Sequence, residues 1–108
     1  MRSIVLASIS VALAGCAFPK SETEIKASLA AHIRCARAEI PRLDDGRSDA
    51  RTVAEGADAR CGKEWAEYVE TAMHQYGPTD RARLTPAVRE KSLQHITADV
   101  LAYRTARR

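Results

Sequence analysis

No stretch of this chain approaches the roughly 20 apolar residues that a membrane-spanning helix needs; the longest apolar run, Ile4 to Ala14, is short and interrupted by Ser8 and Ser10. Aromatic residues are also scarce, at 5% of 108 residues, and Ala and Arg far outnumber them, a balance that favours helix over sheet. Charge of neither sign dominates. Seventeen Lys and Arg face fourteen Asp and Glu for a formal net charge of +3, far from the clustered basicity of a nucleic-acid binder, so no nucleic acid is expected as a partner. Equally missing are a phosphate-cradling glycine loop, a nucleophile elbow, a His-Glu-x-x-His helix and paired-Cys zinc spacing. The expectation is a non-enzymatic protein with no catalytic residue, no cofactor and no metal. No internal repeat, low-complexity tract or alternating strand pattern interrupts the helical reading.

What is present begins with a leader-like segment. Arg2 followed by the Ile4–Ala14 run has the layout of a secretory signal: a cation, a short apolar stretch, then small residues. The run ends on Leu13-Ala14-Gly15-Cys16, which resembles the lipobox of bacterial lipoproteins at all four positions. In that family the small residues admit an extended backbone to a narrow protease cleft, and the thiol takes a diacylglyceryl group before cleavage in front of it. The resemblance implies a signal peptide over 1–15, a lipidated tether over 16–20 that starts at acylated Cys16, and a domain over 21–108 in the periplasm or at the cell surface. Two or three palmitate-type chains, at about 0.8 kcal/mol per buried methylene, anchor stably where one does not. Ala17 stands where an aspartate would signal inner-membrane retention, so the expected anchor is in the outer membrane. The competing reading is a buried helix with an incidental cysteine.

Three helical stripes follow. Ser21-Glu22-Thr23-Glu24 has the form of a capping box, and Ile25, Leu29, Ile33, Ala36 and Ile40 share one face, which predicts a helix over 22–40 ended by Pro41. Asp45-Gly46 favours a turn, with Ser48 offering the next N-cap and Asp49 suited to the helix start. Ala50, Ala54, Ala57, Cys61, Trp65, Tyr68, Ala72 and Tyr76 step by three and four and predict a long second helix, weakened internally at Gly56 and Gly62. Gly77 is expected as its left-handed C-terminal residue, and Pro78 as its stop. Thr85-Pro86 opens a third helix with Leu93, Ile96, Val100 and Tyr103 on its stripe, and Arg104, Arg107 and Arg108 complement its C-terminal dipole or meet lipid headgroups. The expected fold is all-α, a small three-helix bundle or a helical hairpin plus a third helix, with one disulfide.

With Cys16 acylated, Cys35 and Cys61 remain, an even number in an oxidising compartment, and a disulfide between them is expected. Chain-entropy arithmetic gives it about 3.5 kcal/mol, which matters in a domain this small. Straight antiparallel helices with the boundaries above leave the two cysteines about 12 Å out of step, so the loop doubles back, the helices cross or the boundaries shift. A metal held by His32, Cys35 and Cys61 is the alternative fate of these thiols. Glu70 with His74, and His95 with Asp99, are either acid–base pairs or ordinary helical ion pairs. Trp65, Tyr68 and Tyr76 are either core or a ligand-stacking face.

The segment Leu43-Asp44-Asp45-Gly46-Arg47-Ser48-Asp49-Ala50, continuing through Val53-Ala54 to Cys61, resembles a pattern of small uncharacterised helical proteins of the proteobacterial envelope. The resemblance implies a helix-loop-helix clamp and no activity. Asp44, Asp45, Arg47 and Asp49 are the candidate interaction loop, their carboxylates serving either as caps or as a recognition epitope. The expected function is that of a small membrane-anchored lipoprotein, a non-catalytic interaction or structural module of the cell envelope whose partners are the membrane, through its lipid, and an envelope protein. The alternatives are an exclusion or immunity lipoprotein against phage or plasmid entry, and an enzyme accessory subunit without its own active site.

Overall fold

The computed structural model describes residues 20–108, so the expected leader, the lipobox-like Leu13-Ala14-Gly15-Cys16 and the proposed lipidation at Cys16 lie outside the described residues. The domain is all-α, and it has four helices rather than three: α1 (Glu22–Leu43), α2 (Ala50–Ala59), α3 (Gly62–Ala72) and α4 (Pro78–Ala106). Among the described residues there is no strand.

At the start of α1 the Glu24 N–H donates to the Ser21 hydroxyl at 3.2 Å, and the Ser21 N–H donates to the Glu24 carboxylate at 3.3 Å, a reciprocal pair that satisfies two orphan donors. The helix does not stop at Pro41. It runs on to Leu43, and the Asp44 N–H closes it on the Ile40 carbonyl at 2.9 Å. Proline removes one donor, but the next residues gain more by staying helical: Leu43 packs on the core, and Asp44 is seized by Arg104.

The expected long second helix is two helices. α2 is capped by Asp49, not Ser48, the carboxylate accepting from the N–H groups of Arg51 and Thr52 at 3.1 and 3.3 Å. It ends at Arg60-Cys61, where the N–H groups fall back onto carbonyls three residues earlier, Arg60 to Ala57 at 3.2 Å and Cys61 to Asp58 at 3.0 Å. Cys61 leaves helical geometry with φ −111° and ψ 34°, and α3 starts at once on Gly62. Gly77 is likewise not a left-handed cap. With φ −73° and ψ 172° it is the extended residue before α4, whose first position is Pro78, where a missing N–H costs nothing. Pro86, expected to open the third helix, sits inside α4. The positive-φ glycine is Gly46 at 72°, in the Asp-Gly turn.

Cys35 and Cys61 are joined by a disulfide with Cα atoms 6.0 Å apart and a sequence separation of 26. The shifted boundaries explain how they meet. Cys35 now lies eight residues from the end of α1 (43 − 35) and Cys61 eleven from the start of α2 (61 − 50), so the stagger falls to about 4.5 Å, within reach of a slight tilt. The core gathers Ile33, Ala36 and Ile40 of α1, Val53, Ala54 and Ala57 of α2, and Ile96 and Val100 of α4 around that bridge. α2 presents alanines to its neighbours, which lets α1 and α4 approach closely.

Candidate functional site

Three polar residues next to the apolar stripes are drawn into the core. His32, Asp58 and Ser92 are 0, 2 and 5% exposed, and they come from α1, α2 and α4. His32 Nε2 is hydrogen-bonded to Asp58 Oδ1 at 2.9 Å, and the other ring nitrogen, Nδ1, faces the Ser92 hydroxyl at 3.3 Å. Arg89 of α4 pairs with the second oxygen of Asp58, and its guanidinium lies over the Trp65 ring, 4.7 Å from the centroid. Trp65 in turn tilts against His32 at 5.3 Å and against Tyr68 at 5.9 Å. One carboxylate thus ties together all four helices through hydrogen bonds, a charge pair and an aromatic contact. Such a network is stabilising only while every member is satisfied.

The set Ser92-His32-Asp58 has the residue types of a hydrolytic triad, yet its surroundings are those of a brace. Ser92 lies in the interior of α4, so the backbone N–H groups beside it are engaged in helix bonds and form no oxyanion pair. Asp58 is shared with Arg89, and His32 is fully buried, while Ser92 reaches the surface only as a 5% exposed side chain at the groove wall.

In front of Ser92 lies a groove of about 740 Å³ between the N-terminal half of α1, the middle of α4 and Tyr68 of α3. Its floor is apolar, formed by Leu29, Ala30, Ile33, Val88 and Tyr68. Burial pushes the Tyr68 hydroxyl above its ordinary pKa. Around the mouth stand Lys26, Arg34, Arg37, Lys91 and His95, and no carboxylate lines it. Two of these groups, Lys26 and Arg37, are paired with carboxylates, Glu22 at 3.0 Å and Asp99 at 2.9 Å, and the His95 ring lies 3.7 Å from Asp99. Among the described residues, Arg34 and Lys91 form no ion pair.

The loop singled out in the sequence is occupied by its own fold. Asp44 takes the Arg104 guanidinium at 2.7 Å and the Gly46 N–H at 3.0 Å, and these bonds hold its carboxyl below the usual range. Arg104 also donates to the Ser48 carbonyl, so this C-terminal arginine clamps the loop to α4. Asp45 accepts from the N–H groups of Ser48 and Arg47 at 2.7 and 2.9 Å and from the Ser48 hydroxyl, and is pushed down to about 2. Asp49 caps α2, and Arg47 is exposed.

The other candidate groups are similarly engaged. Both cysteine sulfurs are in the disulfide, and His32 turns to Asp58 and Ser92, so His32, Cys35 and Cys61 do not converge as metal ligands. Glu70 meets His74 at 3.6 Å but bonds Arg81 more closely, at 2.7 Å, and that pairing lowers its pKa. Trp65 and Tyr68 are half-buried while Tyr76 is 37% exposed, so the three aromatics do not share one fate.

Sequence periodicity gave no sign of the Asp58 network or of the groove. The available signal was positional: His32 precedes Ile33, Asp58 follows Ala57 and Ser92 precedes Leu93, each one step from a stripe residue. No family model, curated protein or solved structure matches the chain.

Proposed function

We propose that this protein is a lipid-anchored, non-catalytic binding module of the bacterial cell envelope, which engages another envelope component through the groove between α1, α3 and α4. The observation that carries the binding role is the pairing, in one concavity, of an apolar floor with two cations, Arg34 and Lys91, that form no ion pair among the described residues. Concave apolar surface with a few convergent polar groups is the usual form of a binding site. The anchor rests on Leu13-Ala14-Gly15-Cys16 and the leader before it. The absence of an enzymatic role rests on the buried, mid-helix position of Ser92 and on the engagement of Asp58 by Arg89.

A short tether suits such a role. Residues 17–20 separate the acylated cysteine from Ser21, the cap of α1, so the N-terminal half of α1, which forms one wall of the groove, is held near the headgroups. Anchoring raises the local concentration of a membrane component and makes a modest intrinsic affinity sufficient. The test is metabolic labelling of the full chain with an alkyne-bearing palmitate. The native protein is expected to take up label, lose its leader and sediment with the outer membrane, and Cys16→Ser is expected to accumulate as unlabelled precursor. Normal processing and membrane retention of Cys16→Ser would refute the anchor.

A further inference from the structure

The lining of the groove narrows the class of its occupant. Leu29, Ile33 and Val88 offer a continuous hydrocarbon floor, which favours an apolar body at about 25 cal/mol per Å² removed from water. Arg34 and Lys91 offer an uncompensated positive mouth, from α1 on one side and α4 on the other. A neutral lipid would leave the cations without partners, and a small free anion would leave the floor wet. Only a molecule with both parts satisfies both surfaces.

Size then separates a small amphiphile from a protein segment. The volume of about 740 Å³ lies inside the roughly 300–1,000 Å³ of small-molecule pockets. Eleven residues line it, whereas a stable protein interface engages about 20–30 on each side. The geometry points to a single-chain anionic amphiphile, a long-chain carboxylate, lying with its hydrocarbon along Leu29, Ile33 and Val88 and its carboxylate between Arg34 and Lys91. The planar guanidinium of Arg34 suits a two-oxygen headgroup, and Lys91 supplies a second positive point. The assignment rests on the groove being the binding surface proposed above and adds to it the chemistry of what is bound.

The test uses the full chain in phosphatidylethanolamine bilayer discs with a diazirine-bearing palmitic acid as the probe, photolysed and mapped by peptide mass spectrometry. Adducts are expected on the segments around Leu29 to Ile33 and around Val88. Competition by palmitate is expected to exceed that by hexadecanol, which lacks the charge, by about tenfold or more, as one charge-assisted contact would give. Arg34→Glu with Lys91→Glu, both exposed positions, is expected to reduce labelling by a similar factor. Ala30→Trp, which fills the groove from an exposed position without altering charge, is expected to abolish it. Labelling spread evenly along the chain, equal competition by hexadecanol, or labelling unchanged in both variants would overturn the assignment. An envelope polypeptide that crosslinks to the groove of a protein the fatty acid does not label would overturn it as well, while leaving the binding-module reading standing.

Discussion

At the scale of single residues, the side chain on which most depends is Asp58. It is 2% exposed and serves His32 on one oxygen and Arg89 on the other. Removing Asp58 leaves the buried His32 ring without its partner at a cost of about 1–3 kcal/mol, while the Arg89 guanidinium, 41% exposed, can still reach water; replacing the whole set with apolar groups is often neutral. Asp58→Ala is therefore expected to lower the stability read from chemical denaturation by about 1–3 kcal/mol. The triple variant His32→Leu, Asp58→Leu, Arg89→Met is expected to recover most of that loss. A triple variant no more stable than Asp58→Ala would show that the network is more than a brace.

None of this network was legible from periodicity, because a stripe marks which face of a helix is buried and not what its polar neighbours meet. In the sequence His32 stands out only by its spacing from Cys35, and its partners lie 26 and 60 residues away. The same limit applies to Arg104. A cation in the last turn has a sufficient local explanation in the helix dipole, and only the packing of α4 beside the loop shows that it holds Asp44.

At the scale of elements, local structure is legible in the sequence where its chemistry is self-contained and not where tertiary packing decides. The Ser21–Glu24 box and the Asp45-Gly46 turn each involve a few adjacent residues, and both are present. The ends marked by proline were misplaced. Pro41 sits inside α1 because Leu43 beyond it packs on the core, and Pro86 sits inside α4 because that helix starts upstream on Pro78, its first turn held to α3 by the Arg81–Glu70 pair. The predicted second helix divides at Cys61 because the disulfide draws that residue to Cys35 next to a glycine of weak helix propensity.

Two glycine substitutions separate these effects. Nothing lies within 4 Å of a Cβ built on Gly62, which begins α3, so Gly62→Ala is expected to raise stability by about 0.4–1 kcal/mol by restricting the unfolded chain. Gly46 is equally uncrowded but has φ 72°, so Gly46→Ala is expected to be destabilising. Thermal melts of the two variants moving in the same direction would contradict the assignment of their backbone roles.

For the molecule as a whole, the helices are joined by one covalent bridge and a ring of charge pairs over a modest core. Reduction of Cys35–Cys61 is expected to cost about 3.5 kcal/mol, measured as the change in urea midpoint on adding reductant. Acid acts on the other set. Asp44, Asp45, Glu70 and Glu90 all have lowered pKa values, from Arg104, the Ser48 N–H, Arg81 and Arg51 respectively. A carboxylate depressed in the folded state contributes stability that is complete above its unfolded pKa near 4 and is lost as pH falls through its folded value. Stability is therefore expected to decline between about pH 4 and the Asp45 value of about 2. A melting temperature that does not fall in that window would show these pairs to be energetically silent.

If the proposed function holds, the groove rather than the Asp44–Asp49 loop is the surface that meets the envelope. Both positions needed for a direct comparison are exposed: Ala30 at the groove and Arg47 in the Asp44–Asp49 loop. A photoreactive residue is placed at one or the other in the full chain, and intact envelopes are illuminated. The expected result is a discrete adduct from position 30 that disappears when Cys16 is replaced by serine, with only diffuse background from position 47. Adducts of equal yield from both positions, or an adduct from position 30 that survives Cys16→Ser, would contradict it.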